Sequence, residues 1–387
     1  MTRVIVLGAG MVGSLIARDL AADPSLTVTS ADARADALAR LSAADSTIET
    51  RRVDLSAPGA VRSAVEGFDL ACGALPGHDG FRALREVIDA GVDYCDISFM
   101  PEDALTLDDL ARRRSVRAVV DCGVAPGMSN LLAGVAAGRL SPCRSIEILV
   151  GGLPRLRRAP FEYKAAFSPA DVIEEYTRPA RYVEHGRVVV REALSEVEPI
   201  SLPGVDSLEA FNTDGLRSLI HTLHVPDMKE KTLRYPGHAA LMRAFREAGF
   251  FSADVIETAS GVVRPLDVAS ALLFPRWTYE PGEEDLTVMR VMAEGDDAGR
   301  PVRLVWDVLD FYDAALGASS MARTTAFPCA LVARELLAGS ITTPGVLPPE
   351  RLATDDALVG RVMDGLESRG VRYTLREETP SASILPL

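Results

Sequence analysis

The stretch Val4-Ile5-Val6-Leu7-Gly8-Ala9-Gly10-Met11-Val12-Gly13 decides the fold class of this chain. An apolar, β-branched run breaks into the pattern G-x-G-x-x-G and continues into a segment whose apolar spacing predicts a helix. In such a strand, turn and helix, Gly8 permits the tight turn, Gly10 lets the backbone approach a pyrophosphate, and Gly13 allows helix and strand to pack closely. The phosphates would lie against the unpaired N–H groups of the helix N-terminus.

An acidic residue follows at the spacing that a dinucleotide site requires. The next apolar run ends at Asp32, about 20 residues after Gly13, where a carboxylate accepts hydrogen bonds from the adenosine ribose hydroxyls. Asp32 therefore favours NAD, while Arg34 offers a partner for a 2′-phosphate and keeps NADP as the alternative. The competing interpretation is that Asp32 caps a helix over residues 33–40.

Length and charge narrow the class of protein. A chain of 387 residues is long enough for two domains with separate cores. Its formal charge of −14 argues against nucleic-acid or anionic membrane partners, since both require clustered cations. No apolar run approaches the ~20 residues that span a bilayer, and no charged leader precedes the first strand. We therefore expect a cytoplasmic protein.

The cysteines predict neither a metal site nor a disulfide framework. They are five in number and lack C-x-x-C or Cys/His spacing. Reduced, buried thiols are the expectation for Cys72, Cys95, Cys122, Cys143 and Cys329.

Strands and helices continue to alternate after Asp32, which predicts a parallel sheet with right-handed crossovers. We expect six strands, the third over residues 48–53 and the sixth over 117–121. Asp54, directly after the third strand, stands where the adenine ring would lie, or else caps the next turn through Ser56. Leu75 and Pro76 fall in the loop at the carboxyl end of the fourth strand, the edge where open α/β sheets bind ligands.

A second diagnostic turn, Asp121-Cys122-Gly123-Val124-Ala125-Pro126-Gly127-Met128, follows the sixth strand. Gly123 and Pro126 fix a sharp exit from the sheet, which we place beside the nicotinamide. Asp121 is expected to pin this turn. The residues predicted to contact the cofactor are Gly8, Gly10, Met11, Val12, Gly13, Asp32, Asp54, Leu75, Pro76, Gly123 and Pro126.

The pattern changes from residue 146 onward to longer strands with period-two character, typical of an antiparallel sheet. The fold class is thus an α/β Rossmann dinucleotide-binding domain plus an α+β substrate and dimerisation domain with a mostly antiparallel sheet. We place the first domain at residues 1–125 and the second at 126–320. A C-terminal helix and tail, 321–387, would return to the Rossmann domain.

Six segments in succession resemble the saccharopine dehydrogenase-like family, and most of all its L-lysine 6-dehydrogenase branch. They are G-A-G-M-V-G at 8–13, D-C-G-V-A-P-G-M at 121–128, G-G-L-P at 151–154, S-E-V-E-P at 195–199, T-L-R-Y-P-G-H at 232–238 and M-A-R-T-T-A-F at 321–327. The V-A-P-G-M and R-Y-P-G-H segments are the most distinctive.

The resemblance implies an NAD-dependent oxidation of the ε-amine of L-lysine. The resulting imine hydrolyses to 2-aminoadipate 6-semialdehyde and ammonia, and the aldehyde cyclises to Δ1-piperideine-6-carboxylate. Reductive condensation of the saccharopine reductase or carboxynorspermidine dehydrogenase type is the alternative, as is a catalytically silent dinucleotide-binding protein. By the same analogy we expect a homodimer.

Hydride leaves carbon only when the amine nitrogen has a free lone pair, and a lysine amine titrates near ~10.4. A carboxylate that takes the ammonium proton is therefore the residue to seek. Asp96, at the end of the fifth strand, is our first candidate, although it could instead cap the helical region near Pro101. Glu162 would be a second ammonium ligand, with Tyr163 beside it as a further substrate contact.

The resemblance assigns Arg234 to the substrate carboxylate, which a planar guanidinium matches bidentately. His238 would donate a second hydrogen bond or move a proton, or else be a satisfied interior histidine. Thr213 would bond the carboxylate or shape a turn. The turn Asn212-Thr213-Asp214-Gly215 departs from the lysine 6-dehydrogenase branch, where a glycine-richer turn follows the threonine, and so leaves the substrate open.

Overall fold

The computed structural model describes residues 1–259, 261–280 and 282–380 of the chain. The chain divides into two units. The first comprises Met1–Arg139, Arg217–Leu223 and Ala322–Tyr373, and the second comprises Leu140–Leu216, His224–Met321 and the residues from Thr374 onward. Helix Met128–Arg139 lies in the first unit, so the structural division falls later than the sequence-based boundary at residue 125.

The strands of the described residues are, in chain order, β1 (Thr2–Leu7), β2 (Leu26–Asp32), β3 (Glu49–Arg52), β4 (Leu70–Gly73), β5 (Asp93–Asp96), β6 (Arg117–Val119), β7 (Cys143–Pro154), β8 (Ala180–Glu184), β9 (Arg187–Arg191), β10 (Glu198–Ile200), β11 (Leu208–Asn212), β12 (Asp227–Arg234), β13 (Ile256–Thr258), β14 (Gly261–Val263), β15 (Asp285–Asp297), β16 (Arg300–Phe311), β17 (Gly345–Leu347) and β18 (Tyr373–Glu378).

The α-helices of the same residues are α1 (Met11–Ala21), α2 (Ala35–Ala44), α3 (Ala60–Val65), α4 (Gly77–Ala90), α5 (Asp108–Arg114), α6 (Met128–Arg139), α7 (Pro169–Thr177), α8 (Leu219–Thr222), α9 (His238–Glu247), α10 (Pro265–Trp277), α11 (Ser320–Leu337), α12 (Pro349–Leu352) and α13 (Asp356–Ser368). A 3₁₀ turn, Ala104–Leu107, precedes α5.

The sheet of the first unit is parallel, in the order β17-β6-β5-β4-β1-β2-β3. This confirms the α/β fold class. The expectation of six strands is wrong by one, because β17 adds a seventh at the edge beside β6. β17 has only three residues, of which the first is Gly345, and Pro348 follows it. Three residues are too few to give a periodic signal in the sequence.

Helix α4 begins at Gly77 rather than near Phe81, where the apolar pattern begins. The segment Gly-His-Asp-Gly has poor helix propensity, and tertiary packing overrides it. A Cβ atom at Gly80 would lie 2.7 Å from the Cβ of Ser98, so the glycine allows close packing at this point.

Two arginines of the C-terminal region bind the first helix within the same unit. Asp19 of α1 accepts from Arg334 of α11 at 2.6 Å and from Arg369 at 2.6 Å. The carboxylate is only 11% exposed, so these charge-assisted bonds are shielded from solvent. They fasten the C-terminal helices to the dinucleotide unit.

The second unit contains a mixed sheet in the order β10-β11-β12-β7-β15-β16-β18, with β8 joined to β12 and β9 to β8. β7 and β12 are parallel, whereas β7 with β15, β15 with β16, and β11 with β12 are antiparallel. The alternating sequence pattern predicts strands over residues 287–292 and 302–306. β15 and β16 are longer than this, because their ladder continues over residues whose side chains are polar. Strands β13 and β14 form a separate two-stranded sheet.

The helices of the second unit enclose an aromatic core. Buried members of this core include Tyr163, Tyr176, Phe211, Phe251 and Trp277. Trp277 is fully buried and meets Tyr163 edge-on, with ring centroids 5.6 Å apart. Among the residues described, no helix has both the length and the apolar character needed to cross a bilayer.

Candidate functional site

The turn between β1 and α1 requires glycine at two of its three positions. Gly8 has a φ of 107°, and a Cβ there would lie 2.5 Å from the carbonyl oxygen of Ala74. A Cβ at Gly13 would lie 2.1 Å from the carbonyl oxygen of Gly8. Gly8 therefore permits the turn, and Gly13 permits the contact between helix and strand, as expected from the sequence.

Gly10 is glycine for a different reason. A Cβ at this position would meet only a guanidinium nitrogen of Arg34, at 3.7 Å, so the protein itself leaves the space open. Gly10 is also the N-cap of α1 and supplies no side-chain cap to the helix that begins at Met11 and Val12. Open space beside an uncapped helix N-terminus fits a pyrophosphate.

Asp32 reaches back from the end of β2 to this turn. Its carboxylate accepts from the backbone N–H of Ala9 and from that of Arg34, both at 2.8 Å, and the Arg34 guanidinium lies 3.3 Å away. Burial alone would raise the pKa of Asp32, but hydrogen bonds from Arg34 and Ala9 hold it below its ordinary value. The capping interpretation is wrong, because α2 begins later, at Ala35, without a side-chain cap.

The other predicted cofactor residues of the first unit occupy turns. Asp54 accepts from the N–H of Ser56 at 3.1 Å and from the hydroxyl of Ser56 at 2.6 Å. It thus caps the next turn through Ser56, which was the alternative to a contact with the adenine. Pro76, which follows Leu75, is the N-cap of α4.

The turn after β6 is closed by its own backbone. The N–H of Gly123 donates to the carbonyl of Pro126 at 3.1 Å, and that of Met128 donates to Gly123 at 2.9 Å. A Cβ at Gly127 would lie 1.9 Å from the Gly123 carbonyl oxygen. Because no side chain fits at this contact, position 127, the last of the G-V-A-P-G segment, requires glycine.

Asp96 is fully buried at the carboxyl end of β5. Its Oδ1 accepts from the hydroxyls of Ser98 at 2.8 Å and Tyr94 at 3.2 Å, whereas Oδ2 is buried without a hydrogen-bond partner among the described residues. Burial raises its pKa to about 7. The interpretation that Asp96 caps the following helical region is wrong, because Asp103 fills that role by accepting from the N–H of Leu105.

Asp121 makes a contact that the sequence did not predict. Arg217 donates to both of its carboxylate oxygens, at 3.1 and 3.2 Å, and to the carbonyl of Met100 at 2.6 Å. Both side chains of the pair are 5% exposed. Asp121, whose φ is 53°, is thus a structural anchor at the start of the Gly123 turn.

The second unit contains a buried cluster of charged side chains around Arg234. Its guanidinium donates to Glu175 at 2.6 Å and to the carbonyl of Leu233 at 2.9 Å, and lies over the ring of Tyr163 at 4.6 Å. Arg234 is only 2% exposed, and its Nε has no hydrogen-bond partner among the described residues. Burial raises the pKa of Glu175 despite the neighbouring arginine.

His238 is a satisfied interior histidine. Its Nδ1 lies 3.0 Å from the carbonyl oxygen of Phe161, which can only accept, so Nδ1 carries the proton. Nε2 therefore accepts from the hydroxyl of Tyr176 at 2.8 Å. Burial and the charge of Arg234 lower the pKa of His238 to about 3. The ring is neutral, and its role in moving a proton stays a prediction.

A buried carboxyl group, Glu230, lies against the turn that departs from the expected pattern. The hydroxyl of Thr213 contacts Glu230 Oε2 at 2.7 Å and the hydroxyl of Thr232 at 2.9 Å. Burial raises the pKa of Glu230 to about 8. A Cβ at Gly215 would lie 2.2 Å from Glu230 Oε2, so this glycine makes room for the carboxyl group. Thr213 is engaged with Glu230 as well as shaping its turn.

Glu162, which the sequence predicts to bind an ammonium group, has a cationic partner within the chain. Its carboxylate forms an ion pair with Arg157, the Nε of which lies at 2.8 Å, and both side chains are about one-third exposed. Its φ of 47° lies in the left-handed region. The structure brings Glu175 to Arg234 instead. The sequence offered a signal only for Glu230, which shares a face of β12 with Arg234 by strand alternation.

No group of three or more His, Cys, Asp or Glu side chains in the described part of the chain is arranged to hold a metal ion. The five cysteines are free and buried. Two of them approach closely, with 3.5 Å between the Sγ atoms of Cys95 and Cys329.

Comparisons with known proteins match both units. The saccharopine dehydrogenase NADP binding domain matches residues 4–119, and the saccharopine dehydrogenase C-terminal domain matches residues 123–371. The NADP(+), L-glutamate-forming saccharopine dehydrogenase of Schizosaccharomyces pombe is 23% identical, over 84% of this chain and 87% of that protein. The mitochondrial alpha-aminoadipic semialdehyde synthase of Bos taurus is 22% identical, over 96% of this chain but only 47% of that protein.

A solved structure has the same fold. The L-glutamate-forming saccharopine dehydrogenase of Saccharomyces cerevisiae superposes with a TM-score of 0.80 at 18% identity, over 98% of this chain and all of that one.

Proposed function

The chain belongs to the saccharopine dehydrogenase family, and on that premise we propose that it oxidises the terminal amine of L-lysine with NAD as the hydride acceptor. The reaction is R-CH₂-NH₃⁺ + NAD⁺ + H₂O → R-CHO + NH₄⁺ + NADH + H⁺. The aldehyde product, 2-aminoadipate 6-semialdehyde, then closes on its own α-amine to Δ1-piperideine-6-carboxylate.

The charge balance of the buried cluster in the second unit is the observation that supports an amine substrate. One guanidinium, that of Arg234, is accompanied by two carboxyl groups, that of the buried Glu230 and that of Glu175, which is 17% exposed. A buried charge requires a compensating partner, because solvent no longer screens it. Glu230 has no cationic partner in the described part of the chain and keeps its proton near neutral pH, so an ammonium group bound beside it would supply the missing cation. Lysine, with two ammonium groups and one carboxylate, suits such a cluster.

The names of the relatives favour a second candidate, the NADP-dependent oxidation of saccharopine to L-glutamate and semialdehyde. Saccharopine carries three carboxylates and would need several unpaired cations. The two buried cations of the second unit that we compare, Lys231 and Arg234, are each bound to a carboxylate of the chain, Glu198 and Glu175 respectively. This pairing favours lysine over saccharopine.

Asp96 is the base in this proposal. A carboxyl group whose pKa is about 7 is partly ionised at neutral pH, so it can take a proton from an ammonium group. The bound nicotinamide supplies the hydride acceptor. The turn at Gly10 and the carboxylate of Asp32 would hold the dinucleotide, with Met11 and Val12 presenting backbone N–H groups to its phosphates.

Three further parts of the proposal concern the cofactor, the oligomeric state and the location in the cell. We propose NAD because the carboxylate of Asp32 would accept from the ribose hydroxyls, while Arg34 beside it offers a partner for the 2′-phosphate of NADP. A homodimer follows from analogy, and light scattering on the purified protein tests it. A cytoplasmic location suits five free thiols, and fractionation of cells tests it.

A substrate and cofactor matrix separates the candidate functions. Absorbance of the reduced nicotinamide is followed with L-lysine or saccharopine, each with NAD⁺ or NADP⁺, between about pH 7 and pH 10. Reduction by lysine with NAD⁺, together with a product that condenses with o-aminobenzaldehyde, supports the proposal. Reduction by saccharopine alone favours the second candidate, and dinucleotide binding without turnover on any amine indicates a silent binding protein.

A further inference from the structure

Four of the five cysteines form a cluster of contacting thiols in the first unit. Cys72 and Cys95 are register partners on the neighbouring strands β4 and β5, so their side chains lie on the same face of the sheet. Cys329 of α11 contacts the thiols of both, and the thiol of Cys122 contacts that of Cys95. All four residues are at most 2% exposed. The cluster is therefore an interior feature that joins α11 to two strands of the sheet.

Cys95 and Cys329 already approach each other closely. Their Sγ atoms are 3.5 Å apart, against about 2.05 Å in a disulfide bond. The Sγ of Cys95 also lies 3.5 Å from the carbonyl oxygen of Cys329, and the Sγ of Cys329 lies 3.9 Å from the carbonyl oxygen of Cys95. Each side chain thus points at the backbone of the other residue. A closure of about 1.5 Å, shared by two side chains, separates the contact from a bond.

The cluster lies next to the edge of the sheet where a dinucleotide would bind. Cys72 and Cys95 are each the next-to-last residue of their strand, followed by Gly73 and Asp96. Cys122 lies in the turn after β6. Ligands of open α/β sheets bind outside the carboxyl ends of the strands. A molecule as small as a hydroperoxide therefore has only one or two residues to pass from that edge to the thiols.

Cys329 is the thiol placed to react first. Hydrogen bonds from the thiols of Cys72 and Cys95 favour its thiolate and lower its pKa, against the opposing effect of burial. The pKa of Cys95 is raised, chiefly by burial, so that thiol keeps its proton. The thiolate is the nucleophilic form of cysteine. Cys329 is thus the attacking thiol, and Cys95 is the thiol that stands ready beside it.

We propose that Cys95 and Cys329 form a reversible disulfide when a hydroperoxide oxidises the cluster, and that this bond inactivates the site beside it. In the first step the Cys329 thiolate attacks the peroxide, the O–O bond breaks, and hydroxide leaves, so that Cys329 becomes a sulfenic acid. In the second step the sulfur of Cys95 attacks that of Cys329, the S–O bond breaks, and the leaving oxygen takes the proton of Cys95 as water.

The sum of the two steps is 2 R–SH + H₂O₂ → R–S–S–R + 2 H₂O. Two electrons pass from the two sulfur atoms to the peroxide, one from each sulfur. A dithiol reverses the change by thiol–disulfide exchange.

The expected loss of activity follows from the position of Asp96. This residue directly follows Cys95 in the chain and is the base of the proposed function. Closing the disulfide draws Cys95 toward α11 and displaces the backbone that carries the carboxyl group. A displacement of about 1 Å is enough to slow a reaction that depends on aligned groups. This consequence rests on the proposed function, whereas the disulfide itself does not.

Peptide mapping tests the disulfide. The whole chain is first reduced, freed of reductant and treated with hydrogen peroxide in about equimolar amount. It is then denatured in iodoacetamide, digested and analysed by mass spectrometry without reduction. The number of alkylated thiols should fall from five to three, and one cross-linked pair of peptides should contain Cys95 and Cys329. Treatment with dithiothreitol should restore the fully alkylated pattern.

Three variants locate the reaction. Cys329→Ala should lose the cross-link. Cys143→Ala is the matched control, since Cys143 is a buried thiol of the second unit that is not part of the cluster, and it should form the cross-link as the unaltered chain does. Cys72→Ala removes a hydrogen bond that lowers the pKa of Cys329, so the same cross-link should form at least about threefold more slowly.

Loss of no thiol from the native chain, or a cross-link between other cysteines, overturns the proposal and leaves the cluster as packing. An unchanged rate in Cys72→Ala overturns the assignment of Cys329 as the attacking thiol.

Nicotinamide reduction with lysine tests the consequence for activity. The oxidised chain should turn over at least about tenfold more slowly and recover with dithiothreitol, whereas Cys329→Ala should keep its activity after peroxide treatment. A complete Cys95–Cys329 cross-link with unchanged turnover overturns the inactivation. If the reduced chain does not oxidise lysine, the proposed function fails, and the peptide map still decides whether the disulfide forms.

Discussion

The free energy of unfolding should depend on pH through Glu230, and the substitution Glu230→Gln isolates that dependence. The pKa of this carboxyl is about 8 in the folded chain, against an ordinary value of 4.5, chiefly because burial disfavours its charged form. The folded state therefore keeps a proton that the unfolded chain has released. The stabilisation is complete below about pH 4.5 and is lost as the pH rises toward about 8.

The size of the effect follows from the pKa difference. Each unit of pKa difference corresponds to about 1.36 kcal/mol, so raising the pH from 5 to 8 should cost the unaltered chain about 3–4 kcal/mol through this group. Glutamine is isosteric and neutral, and can still accept from Thr213. The stability of Glu230→Gln relative to the unaltered chain should thus rise by the same amount over this interval.

Tryptophan fluorescence in urea is a suitable assay, because both tryptophans of the chain, Trp277 and Trp306, are buried in the unit that holds Glu230. Comparing variants removes contributions from other titrating groups such as Glu175. Glu184→Gln, a surface exchange of the same kind, should show a difference that does not change with pH. If the difference for Glu230→Gln is also constant between pH 5 and 8, Glu230 is ionised in the folded chain and the reasoning fails.

Three further predictions concern the dinucleotide turn and the buried thiols. Gly10→Ala should keep the thermal unfolding midpoint of the unaltered chain yet lose dinucleotide binding in calorimetric titration. Gly8→Ala should lower the midpoint as well, because its Cβ would lie 2.5 Å from the Ala74 carbonyl oxygen. A Gly10→Ala protein with normal dinucleotide affinity contradicts the phosphate assignment. Asp32→Asn should weaken NAD binding about 10- to 100-fold while weakening NADP binding less, and an unchanged ratio of the two dissociation constants would refute the ribose role. The five buried thiols should react with a disulfide reagent only after unfolding, so rapid labelling of the native chain would count against their burial.

The dinucleotide half of the site was predictable because its determinants are local. Three glycines, one strand and one helix lie within the first 21 residues. Gly8 and Gly13 are required by close backbone contacts, and Gly10 leaves open space beside the turn. The partner of Asp32 is local as well, since the N–H of Arg34 lies two residues away. Periodicity and turn chemistry capture contacts at this range. Two features escaped such patterns, the three-residue strand β17 and the first turn of α4 at Gly77.

The cluster around Arg234 was less predictable, because its contacts join residues that are distant in the chain. Arg234 was identified through a motif. Its partner Glu175 is 59 residues away, in the short helix α7. Glu162 was preferred for its place after a strand, and only the backbone conformation at that position sends it toward Arg157. Pro160 marks an irregular segment there, but sequence spacing does not tell which way the side chain of Glu162 turns.

The departure at Asn212-Thr213-Asp214-Gly215 has a physical explanation once the fold is known. Thr213 donates to the carboxyl of Glu230, Gly215 leaves the space that the carboxyl fills, and Asp214 binds Arg181 at 2.9 Å, which keeps that cation from Glu230. The turn and the acid therefore form one structural unit, and exchanging either alone should disrupt the other. A relative with a different turn should accordingly carry a different residue at the position of Glu230, and the substrate specificity of the two proteins should differ with it.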